Sequence, residues 1–374
     1  MPPRGWNSYN AFGGMHGLPA DANPMLPGGV ALEERLVVET ADALVASGLR
    51  DAGYIYLNLD DRWQDPREPR GVDGRLRPDL RRFPSGMTWL SREIHNRGLK
   101  FGIYAIANEF ACGGEEGNGP GGLPATGSLG REAIDARTFA DWGVDFIKVD
   151  WCGVGHAGTH GKAARVFEAW NEAIAAAGRP MVLSASTWGE EFEESWAPRL
   201  THMWRTTPDL HANWDSILAN SHATTGGRWR RASVLGRGWN DPDALQVGHH
   251  DLTLNESWTH LVLWAMLGAP LLAGNDLRTM SDDIAAMLLD PDVIRIDEDR
   301  SAAATVSDCG DDLEVWDREL SDGQTARAVV NLSRTTREVP SDLLALGRRA
   351  GRESWWSGDR PDSIGGRSTV LALC

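Results

Sequence analysis

A chain of 374 residues with 41% hydrophobic content can bury one large core and a smaller second one. Its formal net charge of -16 argues against nucleic acid and anionic membrane surfaces as partners, and is compatible with a neutral or cationic small molecule. No window approaches the roughly 20 apolar residues that span a bilayer, and Met1–Trp6 has no basic-then-apolar secretory pattern, so the expected location is cytoplasmic unless a leader has been removed.

In chain order, strands are predicted at Trp6–Tyr9, Tyr54–Asp60, Lys100–Ile106, Val144–Asp150, Met181–Ala185 and His202–Thr206. Two more follow, one near Trp239 and one at Pro270–Ala273. Helical patterns lie between them at Leu32–Ser47, Gly86–Asn96, Glu132–Trp142, Lys162–Ala177, Trp214–Ala219 and Ser257–Leu267. This alternation implies parallel strands with crossover helices, and a total of eight strands points to a (β/α)8 TIM barrel of the α/β class. After about Asp292 the texture changes to short runs between turn residues: Val293–Ile296, Leu313–Trp316, Ala326–Asn331, Glu353–Trp356 and Ser368–Leu371. The expected division is a catalytic barrel over 1–291 and a small C-terminal antiparallel β-sandwich over 292–374. The glycine-rich stretch Gly113–Gly122 reads as a loop after a strand end; it lacks the spacing of a phosphate cradle.

Polar residues gather where barrel strands end. The second strand ends in Asp60 and Asp61, the third carries Tyr104, and the fourth ends with Lys148 and Asp150. The fifth leads to Trp188, the sixth to Arg205 and Asp209, and the seventh to Asp241 and Asp243. Lys148 and Asp150 are two apart on an extended strand, so both side chains leave from one face. The chain has only three lysines (Lys100, Lys148 and Lys162), so a lysine here suggests a need for a compact ammonium beside a carboxylate. A strand-end aspartate alone is more often a helix cap. A run of them at successive strand ends, mixed with cations and aromatics, indicates a carboxylate-lined pocket suited to sugar chemistry. The rival chemistry, a magnesium or calcium site, is disfavoured by the fixed cations Lys148 and Arg205. No metal and no cofactor are expected. The four cysteines, Cys112, Cys152, Cys309 and Cys374, are too few for a disulfide scaffold and lack zinc spacing.

Read as motifs, these segments resemble glycoside hydrolase family 27, the α-galactosidase family of clan D. Pro2–Asn10 (PPRGWNSYN) is similar to the family opening PPMGWNSWN, Leu57–Trp63 to VNIDDCW, and Gly98–Tyr104 to GLKFGIY. Trp142–Cys152 resembles WGVDYLKYDNC, Trp204–Asp209 resembles WRTTGD, and Gly238–Asp243 repeats GWNDPD. Thr259–Met266 and Ala269–Asp276 are similar to the final barrel segments. The resemblance implies a retaining exo-glycosidase releasing terminal α-linked galactose, with Asp150 as nucleophile and Asp209 as general acid/base. It implies that Asp60 and Asp61 hold O4 and O6, and that Lys148 and Arg205 contact hydroxyls near the anomeric centre. Asp243 would serve as a ligand on the O2 side. Trp6, Tyr9 and Tyr104 are implied sugar contacts, and Trp188 lies in the segment similar to SLCEWG that reads the 2-position. Cys112 and Cys152 align with the family disulfide, which a reducing cytoplasm would keep as thiols.

The departures fall at the rim. Tyr9 replaces a tryptophan, Arg62 a cysteine, Ile106 an aspartate and Trp151 an asparagine; Ser186 and Thr187 replace the CE of CEWG, and Ala244 a methionine. Smaller groups near the 2-position leave two sister specificities open, α-N-acetylgalactosaminidase and β-L-arabinopyranosidase. A non-catalytic sugar-binding protein on the same barrel is a further alternative. The implied partner is a small sugar or oligosaccharide with a galactose-configured end.

Overall fold

The computed structural model describes residues 1–13, 32–109, 126–152, 162–234, 238–340, 348–352, 355 and 363–374. Cys112, the Gly113–Gly122 loop and most of the Glu353–Trp356 run lie outside the described residues. By backbone proximity the chain forms two compact units. One comprises Arg4–Arg205 with Asp276–Arg278, and the other Met1–Pro3, Thr206–Asn275 and Thr279–Cys374.

The first unit alternates strand and helix. It contains β1 (Arg4–Asn7), α1 (Glu34–Ala46), β2 (Tyr56–Asn58), α2 (Gly86–Asn96), β3 (Lys100–Ile106) and α3 (Glu132–Trp142). There follow β4 (Phe146–Asp150), α4 (Lys162–Ala177), β5 (Val182–Ser186), α5 (Glu193–Leu200) and β6 (Met203–Arg205). Its strands are parallel and neighbours in chain order. Phe101, Ile103, Phe146, Ile147, Val149, Leu183 and Trp204 are buried. Strands packed on one face by crossover helices and on the other by the barrel interior read as near-continuous apolar runs, which is why they are visible in the sequence. Gly5 permits the close approach of β1 to β2, because a Cβ there would stand 1.9 Å from the carbonyl oxygen of Tyr56. Strand β1 has the predicted length but lies two residues earlier. Tyr9 instead begins a π-helical turn over Tyr9–Gly13, where its N–H donates to Asn7 Oδ1 at 2.8 Å.

The second unit supplies α6 (Trp214–Thr225), α7 (Gly227–Val234), β7 (Trp239–Asp241), α8 (Leu254–Leu267) and β8 (Leu271–Ala273). Helix α8 opens with a capping box in which Thr253 and Glu256 satisfy each other's backbone donors. Every residue from Glu256 to Leu267 is buried. The eight-stranded sheet has the order β7-β6-β5-β4-β3-β2-β1-β8, and the parallel bridge between Leu245 and Ala273 completes the (β/α)8 pattern.

Two helices follow, α9 (Asp282–Leu288) and α10 (Pro291–Glu298). The second corrects the strand predicted at Val293–Ile296. Asp290 caps the N–H groups of Asp292 and Val293, and Pro291 occupies the first helical turn, so the start signal overrides the β-branched run. The rest is antiparallel: β9 (Thr305–Gly310), β10 (Leu313–Glu319), β11 (Thr325–Asn331), β12 (Arg337–Glu338), β13 (Arg348–Ala350), β14 (Ser363–Ile364) and β15 (Thr369–Leu373). These make a five-stranded sheet, β13-β15-β11-β10-β9, and a two-stranded ribbon, β12-β14. The larger sheet braces α8: Trp258 Nε1 donates to the carbonyl of Thr369 at 2.9 Å, and the hydroxyls of Thr259 and Thr369 are 2.9 Å apart.

Candidate active site

In the first unit, the end of β2 and the end of β4 are joined by charge. Lys148 Nζ lies 2.8 Å from Asp60 Oδ2, and Asn7 Nδ2 donates to the same oxygen at 2.9 Å. The N–H of Asp60 donates to Ser8 Oγ at 2.8 Å, and the N–H of Asp61 to Asp60 Oδ1 at 2.9 Å. Asp60 is 1% exposed, so its carboxylate is held by protein groups on several sides. The Lys148 ammonium also sits 5.7 Å from the Tyr9 ring centroid and 5.8 Å from that of Tyr104, where ring quadrupoles favour a cation. Tyr104 is the β3 register partner of Lys148, and Ile106 that of Asp150. Five predicted residues on four segments (Tyr9, Asp60, Asp61, Tyr104 and Lys148) are thereby brought together. Trp6 is wholly buried within β1.

Asp150 ends β4 on the same face as Lys148, is 8% exposed and pairs in register with Ser186 on β5. Its Oδ1 accepts the N–H of Trp151 at 3.0 Å, which fixes the carboxylate's orientation. Arg205, at the end of β6, is buried. Beyond β5, Trp188 is half-buried and has φ 58°, a left-handed backbone that a bulky residue adopts only when its surroundings hold it there. The group under that loop is Glu193 in the first turn of α5. Burial is the leading cause that pushes its carboxyl up to about 7, against hydrogen bonds from Thr187 and the N–H of Glu191.

In the second unit, Asp209 and Asp243 lie on adjoining loops. Asp243 Oδ2 accepts the N–H of Leu210, the residue after Asp209, at 2.9 Å, and Asp243 Oδ1 accepts that of Ala244 at 2.7 Å. Asn220 of α6 donates to the carbonyls of Pro208 and Pro242, both at 3.1 Å, tying the two loops from below. Asp243 has φ 96°, and Trp264 Nε1 anchors its carbonyl at 2.8 Å. Asp243 thus positions the backbone beside Asp209.

Asn7, Ser8, Glu193 and Asn220 were not singled out in the sequence. The first two stand in the WNS of the opening motif, which offered a signal; Asn220 sits inside a helix pattern and offered none. Cys152 takes part in a disulfide and Cys309 and Cys374 are free, while Cys112 lies outside the described residues. Among the described residues, one group has ligand atoms close enough for a metal: His249, His250 and Asp251, within 4.8 Å of one another. None of the predicted site residues belongs to it, and His249 Nδ1 already accepts the N–H of Asp251 at 3.2 Å.

Buried carboxylates at the ends of barrel strands, with a lysine and aromatic rings beside one of them and a buried arginine ending β6, are the equipment of a glycoside hydrolase acting on O-glycosyl bonds. The family model described as alpha galactosidase A (Melibiase_2) matches residues 1–299. The α-galactosidase of Cyamopsis tetragonoloba is 37% identical over 351 residues, covering 94% of this chain and 77% of its own length. Human alpha-galactosidase A is 36% identical over 338 residues, covering 88% of this chain and 74% of its own. The solved α-galactosidase of Saccharomyces cerevisiae superposes with a TM-score of 0.77 at 28% identity, covering 90% of this chain and 75% of that one. The chain belongs to glycoside hydrolase family 27, the α-galactosidase family.

Proposed function

We propose that this enzyme is a retaining exo-α-galactosidase. Asp150 attacks the anomeric carbon while Asp209 protonates the departing glycosidic oxygen, giving a galactosyl-aspartate ester and a free alcohol. Asp209, now a carboxylate, takes a proton from water as that water attacks the same carbon, which releases galactose with retained configuration and restores both groups. Asp60 and Asp61 accept hydrogen bonds from O4 and O6, Lys148 and Arg205 bind hydroxyls near the anomeric carbon, and Asp243 serves the O2 side. Trp6, Tyr9, Tyr104 and Trp188 complete the apolar lining.

The observation that carries this reading is the Asp60–Lys148 pair with Tyr9 and Tyr104 beside it, built on the strand that ends in Asp150. It is the arrangement expected of a pocket that orients sugar hydroxyls by charge-assisted hydrogen bonds. A relative from Saccharomyces cerevisiae has been solved with raffinose. The test is turnover of p-nitrophenyl glycosides. The α-D-galactoside should be cleaved well ahead of the α-N-acetylgalactosaminide and the β-L-arabinopyranoside. Preference for the arabinopyranoside would refute the O6 role of Asp60 and Asp61.

A further inference from the structure

We infer that Glu193 is a positioning residue for the 2-side of the sugar: from the first turn of α5 it holds the loop 187–191, and with it Trp188, against the ring edge next to the anomeric carbon. This rests on the assignment of Asp150 as nucleophile. Three donors converge on one oxygen. Glu193 Oε1 accepts from Thr187 Oγ1 at 2.5 Å, from the N–H of Gly189 at 3.1 Å and from the N–H of Glu191 at 3.3 Å. The residue is 0% exposed, so no bulk water competes for these bonds.

The loop needs such a hold. Trp188, Gly189 and Phe192 have φ values of 58°, 78° and 56°, a left-handed sequence in which two of three residues carry bulky side chains. A second tie comes from Trp196, whose Nε1 donates to the carbonyl of Glu191 at 2.9 Å. Trp196 stacks on Phe167 at 5.1 Å between centroids, and Phe167 on Trp151 at 6.4 Å. The column therefore ends at the residue whose N–H binds Asp150.

Placement supplies the chemistry. Strands run β2-β3-β4-β5, with Asp60 beyond β2 and Ser186 on β5 in register with Asp150. With the anomeric carbon at Asp150 and O4 and O6 turned toward Asp60, the edge facing β5 is C2. In the motif SLCEWG an acid stands where this chain has Thr187; here the Thr187 hydroxyl is engaged by the acid of Glu193 instead. Burial keeps the carboxyl largely neutral below about 7, with the charge of Glu194 adding to that effect, so glutamine is a close mimic.

The test compares Glu193→Ala and Glu193→Gln on p-nitrophenyl α-galactoside and on its 2-deoxy analogue. For Glu193→Ala we expect KM for the full galactoside to rise about tenfold with kcat within about threefold, and KM for the 2-deoxy analogue to stay unchanged. Glu193→Gln should restore KM to within about threefold, since its amide oxygen accepts the same bonds. Equal losses on both substrates, or a loss confined to kcat, would overturn the inference. If Glu193→Ala does not fold, Thr187→Val removes one donor alone, and the same selective rise or its absence decides. A wild-type enzyme that cleaves no α-galactoside refutes the proposed function itself and the inference with it.

Discussion

Replacing Glu193 by glutamine changes the pH dependence of stability by an amount that follows from its surroundings. In the unfolded chain the carboxyl titrates at its ordinary 4.5; in the folded protein desolvation moves it to about 7. Between those values the folded state binds the proton and the unfolded state does not, so stability falls as pH rises. The contribution is fully present below 4.5 and is lost as pH passes through about 7. Moving the carboxyl from 4.5 to about 7 corresponds to about 3 kcal/mol. The wild-type curve alone does not isolate this term, because His260, wholly buried and held down to about 3, works the other way. Its stabilisation is present above its ordinary 6.5 and is lost as pH falls. The difference between wild type and Glu193→Gln cancels the histidine. Urea unfolding followed by tryptophan fluorescence, at about pH 5 and about pH 8, should show the variant gaining about 2–3 kcal/mol relative to wild type over that interval. The fixed cost of fitting an amide beside Oε1 does not depend on pH and drops out. A difference constant to within about 0.5 kcal/mol would mean that Glu193 is not desolvated as its burial implies.

Two predictions concern the chemistry. Asp150→Ala should lose on the order of 10⁴-fold or more in turnover, and azide should restore part of it by attacking the anomeric carbon from the vacated side to give β-galactosyl azide. Wild-type turnover in that variant, or an azide product of α configuration, would remove Asp150 from the nucleophile's role. Lys148→Met leaves the Asp60 carboxylate buried with Asn7 but without its ammonium. Breaking a buried pair from one side costs about 3–5 kcal/mol, and the lower end applies because Lys148 is 19% exposed. An unfolding midpoint and a kcat/KM both equal to wild type would refute the pairing.

Much of this architecture is legible because it is periodic. The limits predicted for β3, α3 and α4 agree with the structure at both ends: Lys100–Ile106, Glu132–Trp142 and Lys162–Ala177. Strands buried on both faces and helices with one apolar stripe announce themselves. Helix α7, Gly227–Val234, has no such stripe in GRWRRASV, and α5 contains Pro198 inside a mixed acidic and aromatic segment, so neither was predicted. At the site, spacing puts Lys148 and Asp150 on one face of β4. The ion pair of Lys148 with Asp60 joins residues 88 apart in sequence through the order of β2, β3 and β4. Same-strand spacing carries no information about a contact of that kind.

Trp151 makes the same point from the opposite direction. In the sequence it is a substitution beside Asp150, with asparagine expected and a large ring found, and periodicity assigns it nothing. In the structure its ring is the base of the column Trp151–Phe167–Trp196, and its N–H orients Asp150. Phe167 belongs to α4 and Trp196 to α5, so the column forms only once both crossover helices have docked. An asparagine could supply the same N–H to Asp150 but could not stack. What the substitution adds is therefore mechanical: it couples the residue after Asp150 to the carbonyl of Glu191. Glu193 grips the same loop from within, through Thr187, Gly189 and Glu191. The changes at Trp151 and Thr187, unrelated in the sequence, thus act on one loop.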